Sequence, residues 1–153
     1  MNIVFKYLDR SCLDEDGLKR IIKKYGSALK YDVVVVFDLR IRDFGTYEFS
    51  STKRKHIIRI SPIKCCYNDD GSRKNKSVEK YEVISALIHE LRHAQQKEEL
   101  GHEFWSKKYS LRSDIISKFA SDFYSPCEVD ARLYENRNIL QAVELYNSLC
   151  YSK

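Results

Sequence analysis

A chain of 153 residues, 43% hydrophobic and 32% charged, has the size and balance of one globular domain with a real core, which excludes a disordered or fibrous polypeptide. No apolar run approaches the roughly 18 residues of a membrane-spanning helix, and Met1-Asn2-Ile3-Val4-Phe5-Lys6 lacks the charged-then-apolar order of a secretory signal, so a cytoplasmic protein (in the host cytoplasm if viral) with no membrane partner is expected. The net charge of +5 suits an acidic partner without demanding one, and five cysteines (Cys12, Cys65, Cys66, Cys127, Cys150) with no C-x-x-C pair argue against a disulfide framework or a cysteine-rich zinc site.

Residues 2–8 (NIVFKYL) read as a short strand. Ser11-Cys12-Leu13-Asp14 fits a capping box for a helix over about 12–25, in which Leu18, Ile21, Ile22 and Tyr25 recur at helical spacing and Gly26 supplies the stop. Val33–Phe37 is β-branched and apolar on both faces, which predicts a central strand. Tyr47–Ser51 and His56–Ser61 predict two further strands joined by a polar turn, and 67–77 (YNDDGSRKNKS) a charged loop. Ser77 is positioned to cap a long helix over about 78–99 with a core stripe of Ile84, Leu87, Ile88 and Leu91. Ile115–Tyr124 and Glu128–Asn147 read as helices separated at Pro126. The order of helix, strands, then helices predicts a single α+β domain over 1–153.

Chemistry concentrates in His89-Glu90-Leu91-Arg92-His93. Side chains four apart share a helix face, so the two imidazoles project together and can grip one Zn²⁺ at about 2.0–2.1 Å. Glu90 sits about 100° around the helix, placed to take a proton from water as general base rather than to bind the metal. Arg92 is a charged residue at a position uncharged in many zinc peptidases; it is expected to turn aside and pair with a carboxylate.

A hydrolytic zinc site needs a third protein ligand. The sequence after His93, Ala94-Gln95-Gln96-Lys97, keeps the helix going and excludes the metzincin pattern H-x-x-G-x-x-H. Glu128 is the preferred ligand, although Ser125-x-x-Glu128 with Pro126 at the first helical position would equally serve as a capping box. Asp130 is a rival, better suited to orienting a ligand histidine or pairing with Arg92. His102, in Gly101-His102-Glu103-Phe104-Trp105, is another.

His89-Glu90-Leu91-Arg92-His93-Ala94-Gln95-Gln96, followed by Pro126-x-Glu128-x-Asp130-Ala131, resembles small gluzincin-type zinc metallopeptidases of phages, mobile elements and low-GC bacteria, over about residues 78–140. The resemblance implies a zincin-like fold with an N-terminal helix, a small, twisted, mainly antiparallel sheet, the motif helix, and a C-terminal helix bearing a ligand. It implies Zn²⁺ held by His89, His93 and Glu128, Glu90 as base and proton shuttle, and a protein or peptide substrate. An edge strand would bind that substrate by strand addition, with 56–62 as the expected edge. Tyr124, Tyr134 and His102 are candidates to stabilise the oxyanion. Gly101-His102-Glu103-Phe104-Trp105 also resembles the SprT-like DNA–protein crosslink proteases, at a shorter spacing and without their C-terminal zinc ribbon. Two other classes compete: a catalytically silent zincin scaffold acting as a binding or inhibitory protein, and a nucleic-acid-binding module using Lys53-Arg54-Lys55, Arg73-Lys74-Asn75-Lys76 and Lys107-Lys108, stretches that read more readily as solvated loops.

Overall fold

In a computed structural model, residues 1–11, 13–101 and 126–148 are described. They form an α+β arrangement with strands β1 (Ile3–Lys6), β2 (Asp32–Phe37), β3 (Gly45–Ser50) and β4 (Lys55–Ile60). Its helices are α1 (Glu15–Tyr25), α2 (Pro62–Cys66), α3 (Lys76–Leu100) and α4 (Pro126–Asn147), and a 3₁₀ turn spans Leu8–Arg10. None of these helices is long and apolar enough to cross a membrane.

The strand order is β1-β2-β4-β3. The expectation of a mainly antiparallel sheet is corrected: β1 pairs with β2, and β2 with β4, in parallel, and only β3 with β4 is antiparallel. The reason is connectivity. Helix α1 carries the chain across between β1 and β2, which makes that pair parallel. The β3–β4 hairpin then inserts its second strand, not its first, beside β2. Residues 56–60 are therefore not an edge: β4 lies between β2 and β3, and among the described residues β1 and β3 are the edges, β3 being the one beside β4.

Val33–Phe37 lies inside β2 as a central strand, flanked by β1 and β4. In β4, inward-facing His56, Ile58 and Ile60 alternate with half-buried residues, and they align with Val33, Val35 and Phe37 across the parallel pair. That face meets α3, whose Ile84, Leu87, Ile88 and Leu91 are fully buried. Helix α3 thus packs on the sheet along one side and on α4 along another.

Helix starts differ from expectation by a few residues. Asp14, not Ser11, caps α1 by accepting the Gly17 amide, and Asn75, not Ser77, caps α3 by accepting the amides of Ser77 and Val78. Both substitutes are strong capping types. Gly101, at φ +73°, ends α3 in a conformation that L side chains rarely adopt. Helix α2 was not expected: Ser61 caps it and Pro62 occupies its first turn, so the strand stops at Ile60. Vicinal Cys65 and Cys66 are buried in α2. The predicted helix over Ile115–Tyr124 lies outside the described residues.

Gly17 marks where α1 meets α4. A Cβ there would collide with the ring of Tyr146, whose hydroxyl is held by the Asp14 amide at 2.8 Å. In an exposed helix, glycine to alanine gains roughly 1 kcal/mol. Here the sign should reverse: Gly17→Ala is expected to destabilise by about 1–3 kcal/mol in urea denaturation, as overpacked core sites do.

Candidate metal centre

His89, Glu90 and His93 lie on α3 where it passes the sheet, and Glu128 opens α4. The two helices bring His89, His93 and Glu128 together. His89 Nε2 lies 3.1 Å from Glu128 Oε2 and 3.2 Å from His93 Nε2, while His93 Nε2 lies 3.1 Å from Glu128 Oε1. A tetrahedral ion with ligands at about 2.0–2.1 Å separates them by about 3.3 Å, and each of these spacings is close to that; one ligand atom from each of the three residues lies within 4.8 Å of the others. This His-His-Glu group could hold a metal ion.

The other nitrogen of each imidazole is committed elsewhere. Gln96 donates its amide to Cys127 O at 2.9 Å and to Asp130 Oδ2 at 2.8 Å, which leaves its Oε1 to accept from His93 Nδ1 at 2.9 Å. The His93 proton thus sits on Nδ1, and the Nε2 lone pair faces Glu128. His89 Nδ1 donates to Glu135 at 3.1 Å, and Glu135 also accepts from Ser85 Oγ. Ligating histidines need this kind of support, since a partner on the far nitrogen fixes both tautomer and ring orientation.

Asp130 does not join the three ligand atoms. It pairs with Arg92 Nε at 2.7 Å, and Arg92 also reaches Glu99 at 2.8 Å. Arg92 turns aside as expected, with its guanidinium over the ring of Tyr134. Tyr134 packs there beside the core and is not among the residues lining the cleft, so it is not placed to meet an oxyanion. His102, Tyr124, Ser125 and Lys107-Lys108 lie outside the described residues.

A cleft of about 790 Å³ opens over the three ligand atoms, bounded by β3, α3 and α4. Glu90 lines it, 5% exposed, and makes no hydrogen bond with any described residue. Burial pushes its pKa up to about 7, with Glu128 and Asp43 adding repulsion against the nearby imidazoles. It is therefore a carboxyl able to accept and release a proton near neutrality. Space for it comes from β3: a Cβ on Gly45 would stand 2.7 Å from Glu90 Oε1.

Sequence reasoning missed Glu135, Gln96 and Gly45. Two had a signal: Glu135 lies two turns after Glu128 on the same face of α4, and Gln96 one turn after His93 on α3. Gly45 had none, because the approach of β3 to Glu90 is set by sheet order. Comparison with protein-family models, with characterised proteins and with solved structures returned no match.

Burial alone would lower the His89 pKa, but hydrogen bonds to Glu128 and Glu135 outweigh it and raise the value to about 9. In the metal-free protein, protonated His89 stabilises the fold fully below its unfolded value of about 6.5, and that contribution fades as pH rises through 9. The raised pKa of Glu90 acts in the same direction, its contribution fading as pH rises through 7. Metal-free protein is thus expected to lose stability between pH 6 and pH 9. Thermal melts across that range, with and without Glu90→Gln and His89→Ala, check this; a melting temperature that rises with pH would contradict it.

Proposed function

We propose that this chain is a zinc-dependent peptidase of the gluzincin type, with His89, His93 and Glu128 as ligands and Glu90 as general base. The observation that carries the reading is the convergence of His89 Nε2, His93 Nε2 and the Glu128 carboxylate from two separate helices: the two nitrogens lie 3.2 Å apart, and each lies 3.1 Å from one oxygen of that carboxylate. Two imidazoles and one carboxylate form a donor set that suits zinc. When bound, zinc supplies positive charge that acidifies water and polarises a carbonyl. Glu90, which lines the same cleft beside the ligand histidines, would accept the proton of the attacking water and return it to the departing amine.

The preference for a peptide substrate rests on β3. Ser61 N donates to Phe44 O at 2.9 Å, which makes that facing pair a hydrogen-bonded one. In an antiparallel ladder the pairs alternate, so the backbone groups of Gly45 and Tyr47 point away from β4. Those amides and carbonyls run along the cleft wall and can receive an extended chain by strand addition.

Purified protein is expected to carry one zinc per chain, with metal lost in His89→Ala and Glu128→Ala. Glu90→Gln should retain zinc while peptide hydrolysis falls by at least about 10²-fold. A zinc-free wild type sinks the metal site. Retained zinc with no hydrolysis in wild type and with an effect that Glu90→Gln leaves intact would instead assign a binding or inhibitory scaffold. Gly45→Val should lower activity while leaving zinc content intact, since its side chain displaces the base and not a ligand.

A further inference from the structure

Three polar groups between the sheet and the C-terminal part of α3 play no part in the chemistry above. His56 on β4 is fully buried. Its Nε2 meets Glu98 Oε1 at 2.8 Å, and its Nδ1 meets the Tyr47 hydroxyl at 2.9 Å. The Glu98 carboxylate also accepts the backbone amides of Lys30 at 2.9 and 3.0 Å and of Tyr31 at 3.3 Å.

These partners fix the proton positions. The Glu98 carboxylate, which already accepts from two amides, accepts a further hydrogen bond from His56, so the imidazole carries its proton on Nε2. Burial lowers the His56 pKa and favours the neutral ring. Nδ1 is then an acceptor, and the Tyr47 hydroxyl donates to it. That hydroxyl points its proton at the buried His56 ring. What Tyr47 offers the cleft is its ring, which lines the wall and lies nearly parallel to the imidazole of His93, at 30° and 6.5 Å between centroids. Gln96 holds that imidazole by one nitrogen, and the Tyr47 ring stands beside it on the sheet side.

We propose that Tyr47 is a positioning residue of the metal centre: tied down by the buried pair His56–Glu98, it holds the His93 ring in the orientation that faces the ion. The proposal rests on His89, His93 and Glu128 being the ligands. Its role is distinct from that of Glu90, because it acts on metal affinity and ligand geometry and carries no proton of the reaction.

The test loads chelator-stripped protein with Co²⁺, and reads affinity by chelator competition and ligand geometry by visible absorption. Wild type should bind Co²⁺, and His89→Ala should not, which establishes the centre independently. Tyr47→Leu should weaken Co²⁺ binding about 10-fold or more, within the 10–100-fold range typical of residues that support metal ligands, and alter the visible bands. Tyr47→Phe keeps the ring but frees it, and a several-fold loss with a smaller spectral change is expected. His56→Leu should mimic Tyr47→Phe and add nothing further in the Tyr47→Leu background, because it acts through the tyrosine. Wild-type affinity and spectrum in both Tyr47 variants, with only the melting temperature reduced, would overturn the proposal and leave the metal centre standing. Absence of Co²⁺ from wild type would overturn both.

Discussion

The side-chain amide of Gln96 is the joint on which the centre of this molecule depends. It sits 4% exposed between α3 and α4, and each of its polar atoms is used. A buried amide left unpaired costs roughly 1–3 kcal/mol, so the two helices fit in one register, the one that satisfies it. That register places Glu128 opposite His89 and His93. The same contact that satisfies the amide also sets the His93 tautomer, and so turns a lone pair toward the ligand carboxylate. Packing and chemistry are specified together, by one side chain.

Around that joint, charge is sorted by depth. Arg92 carries the outer polar network, tying Asp130 and Glu99 where side chains remain half-exposed. Glu135 and Ser85 support His89 from the other side. Glu90 is left without a hydrogen bond among the described residues, against the general rule that buried polar groups are paired. Such exceptions are commonest at functional sites, and burial that pushes this carboxyl up to about 7 fits the base proposed above.

Patterns local in sequence were readable, and arrangements that depend on sheet order were not. The valine run of β2 and the apolar stripe of α3 follow from periodicity and from helix geometry. So does the shared face of His89 and His93. Glu128 could be read in sequence as ligand or cap; in space its carboxylate faces two imidazoles across the helix pair, while its capping partner Ser125 lies outside the described residues. The edge strand was misassigned because a hairpin does not announce which of its strands will join a parallel partner. The Tyr47–His56–Glu98 row was illegible for a related reason. Its members lie on β3, β4 and α3, and no spacing rule links them.

Gly45 carries an implication for how such chains are recognised. It belongs to no motif, yet the missing methyl at that position is the space that the Glu90 carboxylate occupies. With Glu90 as the proposed base, a chain with every residue of His89–His93 intact but a larger residue at 45 would keep its signature and lose the space that its base occupies. The smallest residue on the edge strand then carries as much of the proposed site as the motif itself.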